Sequence, residues 1–411
     1  MKNQSIELLA PVGSFECLHA AISAGADSIY FGVEQLNMRT RSSKPFSIED
    51  IKEISLLCKL HHIKAYITLN TVMYEHDMQL LKLILQEVKE QQIDAVIAAD
   101  FSVIEFCNQL NIPLHISTQA NVSNIESVQF FARFADVVVL ARELTLKQVA
   151  HIKNEIVRRN ITGVSGQLIK IELFVHGALC MAISGKCYLS LHAQNASANR
   201  GACIQNCRRS YTVTDTETKE ELVIENEYIM SPKDLCTIGL VNQLIDSGVA
   251  VFKIEGRSKG ADYVFMVTNC YREAIAAVKE GSYTSQKIEE WTTRLSTVYN
   301  RGFWEGYYLG RNLGEWTKEP GSIAAEKKIY VGRGSNYYAK INVGEFIIES
   351  SSIKIGDELM IIGPANGLAR QNISSLIVNG VASDIAIKGD KITFPFNKKI
   401  STNDKLYKII K

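Results

Sequence analysis

Four cysteines lie close together in this chain of 411 residues, and thiols so closely spaced can bind a metal. They are Cys180, Cys187, Cys203 and Cys207, with the spacing C-x6-C-x15-C-x3-C. Only the last pair has the short spacing that is usual in zinc sites, whereas four thiolates from irregular backbone also suit an iron–sulfur cluster. The residues alone leave three interpretations open: an iron–sulfur cluster, a zinc ion, or buried thiols without metal.

Cations surround these thiols in the sequence. They could lower the pKa values of the thiols, or bind phosphates and carboxylates instead: Lys186, Arg200, Arg208 and Arg209. Cys236 follows at some distance and could replace one of the four ligands. The other cysteines lie in segments with helical periodicity, where we expect them to fill the core: Cys17, Cys58, Cys107 and Cys270.

Short apolar runs alternate with amphipathic helical segments and must position this chemistry. The runs are rich in Val, Ile, Leu and Phe, as is typical of parallel strands buried on both faces. Eight such units predict a TIM-like (β/α)8 barrel over 1–310, with an insertion at about 178–236 after the seventh strand. The predicted strands are 7–11, 28–33, 64–70, 95–100, 113–119, 137–142, 171–177 and 251–256.

Polar residues sit at or just past the C-terminal ends of six predicted strands, where barrels of this kind build their active sites. They are Asn70, Asp100, Gln119, Arg142, His176 and Glu255. We interpret His176, Arg142 and Glu255 as candidate catalytic residues, and Asn70 and Gln119 as candidates for substrate binding. The alternative is that polar residues simply mark where strands stop.

The last strand, in "KIEGRSK", adds further charge. Alternation places Lys253 and Glu255 on one face, pointing into the barrel or at its mouth. Lys253 is therefore a further catalytic candidate. Two interpretations remain open, namely an internal ion pair or a carboxylate-bearing substrate held by Arg142, Lys253 or Arg257.

The chain changes character near its end. Residues 325–411 consist of short β-like runs separated by Gly, Asn and Asp, which predicts a small all-β barrel domain. This segment has 13 Lys and Arg against 8 Asp and Glu, so it presents either a solvated face or one that binds nucleic acid.

The whole chain has a formal net charge of +1 and 46% hydrophobic residues, which is typical of a soluble globular protein. With no apparent signal peptide and no run of about 20 apolar residues, we expect a cytoplasmic protein that does not span a membrane.

Several motifs resemble peptidase family U32, the collagenase-like group: "ELFVHGALCMAISGKCYLS", "STQANVSN", "SANRGACIQNCRRSY", "SPKDL" and "FKIEGRSK". Within that family the chain most resembles the tRNA uridine hydroxylation proteins. The resemblance implies formation of 5-hydroxyuridine at the wobble position, a 4Fe–4S cluster and prephenate as the hydroxyl-linked metabolite. It also implies that Cys180, Cys187, Cys203 and Cys207 are the cluster ligands.

Three functions remain in view at this point. The first is an RNA-modifying enzyme in which Arg200, Arg208 and Arg209 hold phosphates or the carboxylates of the donor, with rRNA or a quinone precursor as alternative substrates. The second is a peptidase, although no GxSxG, HExxH or P-loop motif is present. The third is a non-catalytic subunit that supplies a cluster to a partner protein.

Overall fold

The computed structural model describes most of the chain: residues 5–39, 46–209, 212, 214–219, 231–310, 315–317, 321–364 and 367–411. The sequence of 211–225, "YTVTDTETKEELVIE", predicts a hairpin, and this stretch lies largely outside the described residues. Within them, no helix combines the length and the apolar character needed to cross a membrane.

The first nine strands are β1 (Glu7–Pro11), β2 (Ser28–Phe31), β3 (Lys64–Leu69), β4 (Ala95–Ala98), β5 (Leu114–Ile116), β6 (Val137–Val139), β7 (Lys170–Gly177), β8 (Asp234–Cys236) and β9 (Val251–Ile254). All except β8 are parallel neighbours, and β9 pairs with both β1 and β7, so eight strands close into a barrel. The predicted TIM-like fold is confirmed. β8 runs antiparallel to β7 beside the barrel, and β10 (Phe303–Trp304) pairs with β8.

In the part of the chain that the structure describes, ten α-helices accompany the strands: α1 (Phe15–Ser23), α2 (Asp50–Leu60), α3 (Met78–Glu90), α4 (Phe101–Leu110), α5 (Ile125–Phe131), α6 (Leu146–Arg158), α7 (Leu189–Gln194), α8 (Val241–Asp246), α9 (Ala261–Glu280) and α10 (Ser285–Ser296). Ser14 caps α1 as the sequence indicates, since its hydroxyl accepts a hydrogen bond from the backbone of Cys17. The four helix cysteines are buried, which confirms that they fill the core.

The interior of the barrel is unusually polar near its middle. Aliphatic and aromatic residues of several strands, among them Leu9 of β1, Tyr30 of β2 and Tyr66 of β3, form one buried cluster. His115 of β5, Glu172 of β7 and Lys253 of β9 are buried beside that cluster. Because side chains alternate along a strand, all of these residues point inward.

The C-terminal part is all-β, as predicted, and its strands form an antiparallel sheet with one short additional pair. They are β11 (Lys327–Tyr338), β12 (Val343–Ile348), β13 (Ile353–Lys354), β14 (Glu358–Gly363), β15 (Gly367–Asn372), β16 (Ile377–Val378), β17 (Val381–Ala382), β18 (Ile385–Ala386), β19 (Lys391–Pro395) and β20 (Lys405–Ile410). Strand β15 packs on α1 and α9. Gly367 permits this contact, because a Cβ there would lie 2.9 Å from the backbone nitrogen of Ala20.

Candidate active site at the barrel mouth

A cleft opens at the C-terminal end of the barrel, and we call it the mouth cleft. It brings together six of the residues that the sequence singled out: Asn70, Gln119, Arg142, Lys253, Glu255 and Arg257. It also includes Tyr30, Arg39 and Phe174, which the sequence did not indicate. The barrel therefore gathers residues that lie up to 227 positions apart, as the numbers of Tyr30 and Arg257 show.

Lys253 is paired within the barrel. Its Nζ lies 2.6 Å from Oε1 of Glu172, and both side chains are buried. Burial opposes ionisation of Glu172, but Lys253 and His115 outweigh it and lower the pKa of that carboxyl. The internal ion pair is thus the interpretation that fits Lys253, and its partner is Glu172 rather than a substrate.

Glu255 has a partner of its own at the mouth. Its Oε1 accepts hydrogen bonds from Nη2 of Arg39 at 2.7 Å and from Nε of Arg39 at 3.1 Å. Although burial opposes ionisation, the charges of Arg39, Arg142 and Arg257 lower the pKa of Glu255 to about 2. Glu255 is therefore a carboxylate near neutral pH, able to accept hydrogen bonds but not to supply a proton.

Arg142 and Arg257 lack such partners, since neither forms an ion pair among the described residues. Arg142 donates from Nη1 to the carbonyl of Ala178 at 3.1 Å and lies over the ring of Phe174. Arg257 donates to the hydroxyl of Thr68 at 2.6 Å, and burial lowers its pKa to about 10, so it stays cationic near neutral pH. The Nε atoms of both arginines are buried without a hydrogen-bond acceptor in the described structure.

The charges of the cleft do not balance. Its four cations are Arg39, Arg142, Lys253 and Arg257, and its acids are Glu255 together with the buried Glu172. Two positive charges are therefore in surplus, and they belong to the two arginines without acidic partners. Such a site is suited to an anion, above all one with planar carboxylates that guanidinium groups can bind in pairs of hydrogen bonds.

The cysteine-bearing insertion lies against this mouth. Ala178 accepts a hydrogen bond from Arg142, and the carbonyl of Asn199 accepts one from the backbone of Val72 at 3.1 Å. Gly185 has φ +75, and a Cβ there would lie 1.8 Å from Oε1 of Gln119, so only glycine allows this approach. The insertion therefore forms one wall of the site.

The four thiols of the insertion are free. Cys180 is exposed, and the other three are partly exposed. Burial raises the pKa of Cys207, Arg208 opposes this, and the charges of the other three thiols raise the pKa further, so those three thiols lie close enough to affect Cys207. Within the described residues, however, no three His, Cys, Asp or Glu side chains form a group that could hold a single metal ion.

Cys236 lies apart from the four thiols. It is buried in β8, and its surroundings are the core and the hydroxyl of Tyr271 rather than the insertion. Burial raises its pKa to about 12. This geometry favours a core role, which is the less specific of the two interpretations that the sequence allowed.

The three arginines of the insertion have different surroundings. Arg200 forms an ion pair with the buried Asp77 and lies 4.1 Å from the ring centroid of Tyr74. Arg208 donates to the carbonyl of Pro232 at 2.9 Å and is largely buried, which lowers its pKa. Arg209 is exposed. Arg200 and Arg208 thus brace the insertion, and of the three only Arg209 is placed to meet a large ligand.

His176 and Asp100 are not brought into the mouth cleft. The register of β7 against β9 shifts between Phe174 and His176, and such a bulge redirects the side chain. The His176 ring lies among Tyr263, Tyr271 and Phe303, and burial lowers its pKa to about 4. Asp100 caps α4 and accepts a hydrogen bond from the backbone of Met73 at 2.9 Å.

Three residues that shape the site were not singled out from the sequence. Glu172 and His115 each interrupt an apolar strand, and a polar residue inside such a strand was a usable signal. Arg39 lies in a loop and meets Glu255 across 216 positions of sequence, where no local pattern could reveal it.

Comparison with known proteins decides the family. Residues 13–318 match the model of peptidase family U32. This chain belongs to peptidase family U32. The match confirms the resemblance that the motifs around the cysteines and strand ends suggested, and it covers the insertion and all of the barrel except β1.

Relatives of this U32 chain have names that imply different chemistries. A collagenase from Porphyromonas gingivalis is 51% identical over 411 residues, which are 100% of this chain and 99% of the relative. A tRNA hydroxylation protein P from Helicobacter pylori is 32% identical, covering 74% of this chain and 72% of the relative. A 23S rRNA 5-hydroxycytidine synthase from Escherichia coli is 35% identical, covering 68% of this chain but 41% of the relative.

Proposed function

We propose that this chain is an RNA hydroxylase that converts the wobble uridine of tRNA to 5-hydroxyuridine. The tRNA hydroxylation relative, which aligns with 74% of this chain, supports the reaction class. The observation that carries the proposal is the mouth cleft, where the half-buried Arg142 and the buried Arg257, both without an acidic partner among the described residues, lie beside the wall that bears the four thiols. A peptidase would not need this combination.

The four thiols are proposed to hold a 4Fe–4S cluster, with zinc as the alternative. Four cysteine thiolates are the ligand set for such a cluster. The other three thiols lie close enough to Cys207 to affect its pKa, which supports a shared set of ligands. When bound, the cluster would supply one-electron redox chemistry at the barrel mouth.

A small carboxylate metabolite such as prephenate is proposed to bind in the mouth cleft. Arg142 and Arg257 would hold its carboxylates through charge-assisted hydrogen bonds, because their charges are not neutralised within the protein. Lys253 and Arg39 are already paired with Glu172 and Glu255, so they would shape the cleft rather than hold the ligand.

Glu255 is proposed to orient this ligand or the uridine. Its pKa of about 2 keeps it ionised, so it would accept a hydrogen bond from a hydroxyl or an amide of a ligand. Arg39 holds the carboxylate in place through two hydrogen bonds. Tyr30 donates to the carbonyl of Ile254 at 2.8 Å, which fixes the adjacent wall.

The C-terminal sheet is proposed to bind the phosphates of the tRNA. Lys340 and Lys388 are exposed and form no ion pair among the described residues, and the segment from 325 onward is mildly basic. Binding through phosphates should weaken as salt concentration rises, because counterions are released on association.

A second candidate function is a peptidase, and the full-length similarity to a protein named collagenase favours it. One experiment separates the two functions. Nucleosides of tRNA from a strain without this gene, and without a redundant enzyme, are analysed by mass spectrometry. Loss of 5-hydroxyuridine derivatives supports the hydroxylase, and an unchanged level refutes it. If purified protein hydrolyses gelatin, and still does so after the four cysteines of the insertion are replaced, the result would support the peptidase.

A further inference from the structure

A second cleft adjoins the mouth cleft and has a different chemistry. This outer cleft lies between the barrel loops and the insertion, and it shares Met38, Asn70 and Gln119 with the mouth cleft. The two clefts are therefore neighbours. Whereas the mouth cleft is lined by cations, the outer cleft is lined mainly by carboxamides, small residues and one aromatic ring.

The aromatic ring belongs to Phe101, the first residue of α4. Its side chain is 72% exposed at the edge of the outer cleft. Asp100 fixes this helix start, because its carboxylate accepts hydrogen bonds from the backbone and the hydroxyl of Ser102. An aromatic side chain held open to solvent beside a cleft offers a rigid face on which a planar ligand can stack.

The carboxamide side chains of the outer cleft have hydrogen-bonding groups that the protein leaves unused or bonds only weakly. Asn70 forms two long hydrogen bonds of 3.4 Å each, with Met38 and Ser117. Oδ1 of Asn199 is buried without a donor in the described structure, and no hydrogen bond of the Gln119 side chain occurs among the described residues. A carboxamide presents a donor beside an acceptor, which matches the edge of a pyrimidine base.

The charge around the outer cleft favours a nucleotide. Lys186 is exposed and lines the cleft, so it can meet a phosphate. Asp100 is the acidic residue among the lining side chains, and its oxygens already accept hydrogen bonds from Met73 and Ser102. The cleft thus combines one available cation with neutral hydrogen-bonding groups.

We propose that the outer cleft binds one unpaired pyrimidine nucleotide of the RNA substrate. The base stacks on Phe101, its edge is read by Gln119 and Asn199, and Lys186 meets a neighbouring phosphate. Because the two clefts share Met38, Asn70 and Gln119, this base would lie next to the carboxylate ligand held by Arg142 and Arg257. The inference rests on the proposed RNA hydroxylase function and names the part of the site that holds the base.

The test measures binding of a fluorescently labelled anticodon stem–loop RNA with uridine at the wobble position, by anisotropy with the full chain. A second RNA has an abasic wobble position. Replacing Phe101 with Ala should weaken binding of the uridine RNA roughly 5- to 100-fold, the range for loss of one stacked base. Phe101→Trp should retain binding, because its ring can still stack. Gln119→Ala should reduce the preference for uridine over the abasic RNA.

Phe130 supplies the matched control, since it is an exposed phenylalanine on α5, 44% exposed, and does not line the outer cleft. Phe130→Ala should bind as the wild type does. If the wild type prefers the uridine RNA but Phe101→Ala binds it equally well, the outer cleft is not the base site, although the RNA hydroxylase function stands. If the wild type binds neither RNA, both proposals are overturned.

Discussion

The charged side chains of the barrel strands and the thiols of the insertion meet at one end of the molecule, but they are held in opposite ways. Lys253 pairs with Glu172 and Glu255 pairs with Arg39, and these side chains are largely buried. The four thiols are exposed or partly exposed, and none makes a hydrogen bond to another group within the described part of the chain. The fold therefore pairs Lys253 and Glu255 with opposite charges and leaves the four thiols available to a ligand.

The difference separates groups that build the site from groups that await a ligand. Buried charges must be paired, because an uncompensated one costs several kcal/mol. Thiols carry no such requirement, so a protein can present them for a metal. Arg142 and Arg257 are the informative exception in the barrel. Arg257 is buried and Arg142 is half-buried, and neither has an acidic partner among the described residues. We infer that these two arginines belong functionally with the thiols.

The largest effect that we expect is the loss of the cluster when a thiol of the insertion is replaced. Replacing Cys203 with Ser should abolish cluster binding, because four thiolates are required, while the barrel stays folded. Protein purified without oxygen should contain about four irons and four sulfides, and the variant far less. Iron and sulfide analysis measures this, with circular dichroism as the folding control.

Cys107→Ala is the matched cysteine control, because Cys107 is buried in α4 far from the insertion in sequence. It should retain the wild-type iron content. Colourless wild-type protein that carries stoichiometric zinc would rule out the cluster.

The next largest effect that we expect concerns the buried ion pair between Lys253 and Glu172. Lys253→Met leaves Glu172 buried without a cation, which should lower the free energy of unfolding by about 3–5 kcal/mol. The double variant Lys253→Met with Glu172→Gln should be much less destabilised, since no lone charge remains. Urea unfolding measures both. Equal losses in the single and double variants would show that the two side chains do not act as a pair.

The two arginines should affect binding more than stability. Arg142→Gln or Arg257→Gln removes charge-assisted hydrogen bonds worth about 1.5–3 kcal/mol, so affinity for prephenate should fall roughly 10- to 100-fold. Isothermal titration measures it. Arg158→Gln on α6, where the side chain is 65% exposed, is the control and should bind normally. If both variants bind prephenate as tightly as the wild type does, the mouth cleft is not the carboxylate site.

The smallest effect concerns His176 and depends on pH. Burial lowers its pKa from 6.5 to about 4, so the folded state favours the neutral ring. Protonation of His176 therefore does not lower the free energy of unfolding above pH 6.5, but lowers it progressively as the pH falls toward 4. At pH 5 the loss is about 2 kcal/mol. His176→Phe should reduce this acid sensitivity in unfolding measurements and leave hydroxylation within a few-fold. A variant that folds normally but hydroxylates over a hundredfold more slowly would restore His176 as a catalytic residue.

The sequence could predict what depends on local patterns. Apolar runs revealed all eight barrel strands, and alternation along the last strand placed Lys253 and Glu255 at the mouth. Family motifs marked the insertion. These features depend on residues close together in the chain, where periodicity and spacing carry the information.

Pairing across the fold could not be predicted in the same way. Arg39 reaches Glu255 from a loop without a regular pattern, and the bulge that turns His176 away from the cleft arises from the register between β7 and β9. Arg200 looked available from its sequence neighbours, yet it pairs with Asp77 of a distant loop. Which cations remain unpaired is a property of the folded chain as a whole.

We expect the mouth arginines and the insertion thiols to serve one reaction on tRNA. The most direct test returns single-site variants to a strain that lacks the gene and measures 5-hydroxyuridine derivatives in its tRNA by mass spectrometry. We expect the wild type and Arg158→Gln to restore the modification, whereas Cys207→Ser and Arg257→Gln should each fail to restore it. Full restoration by either failing variant, at matched protein levels, would contradict this expectation.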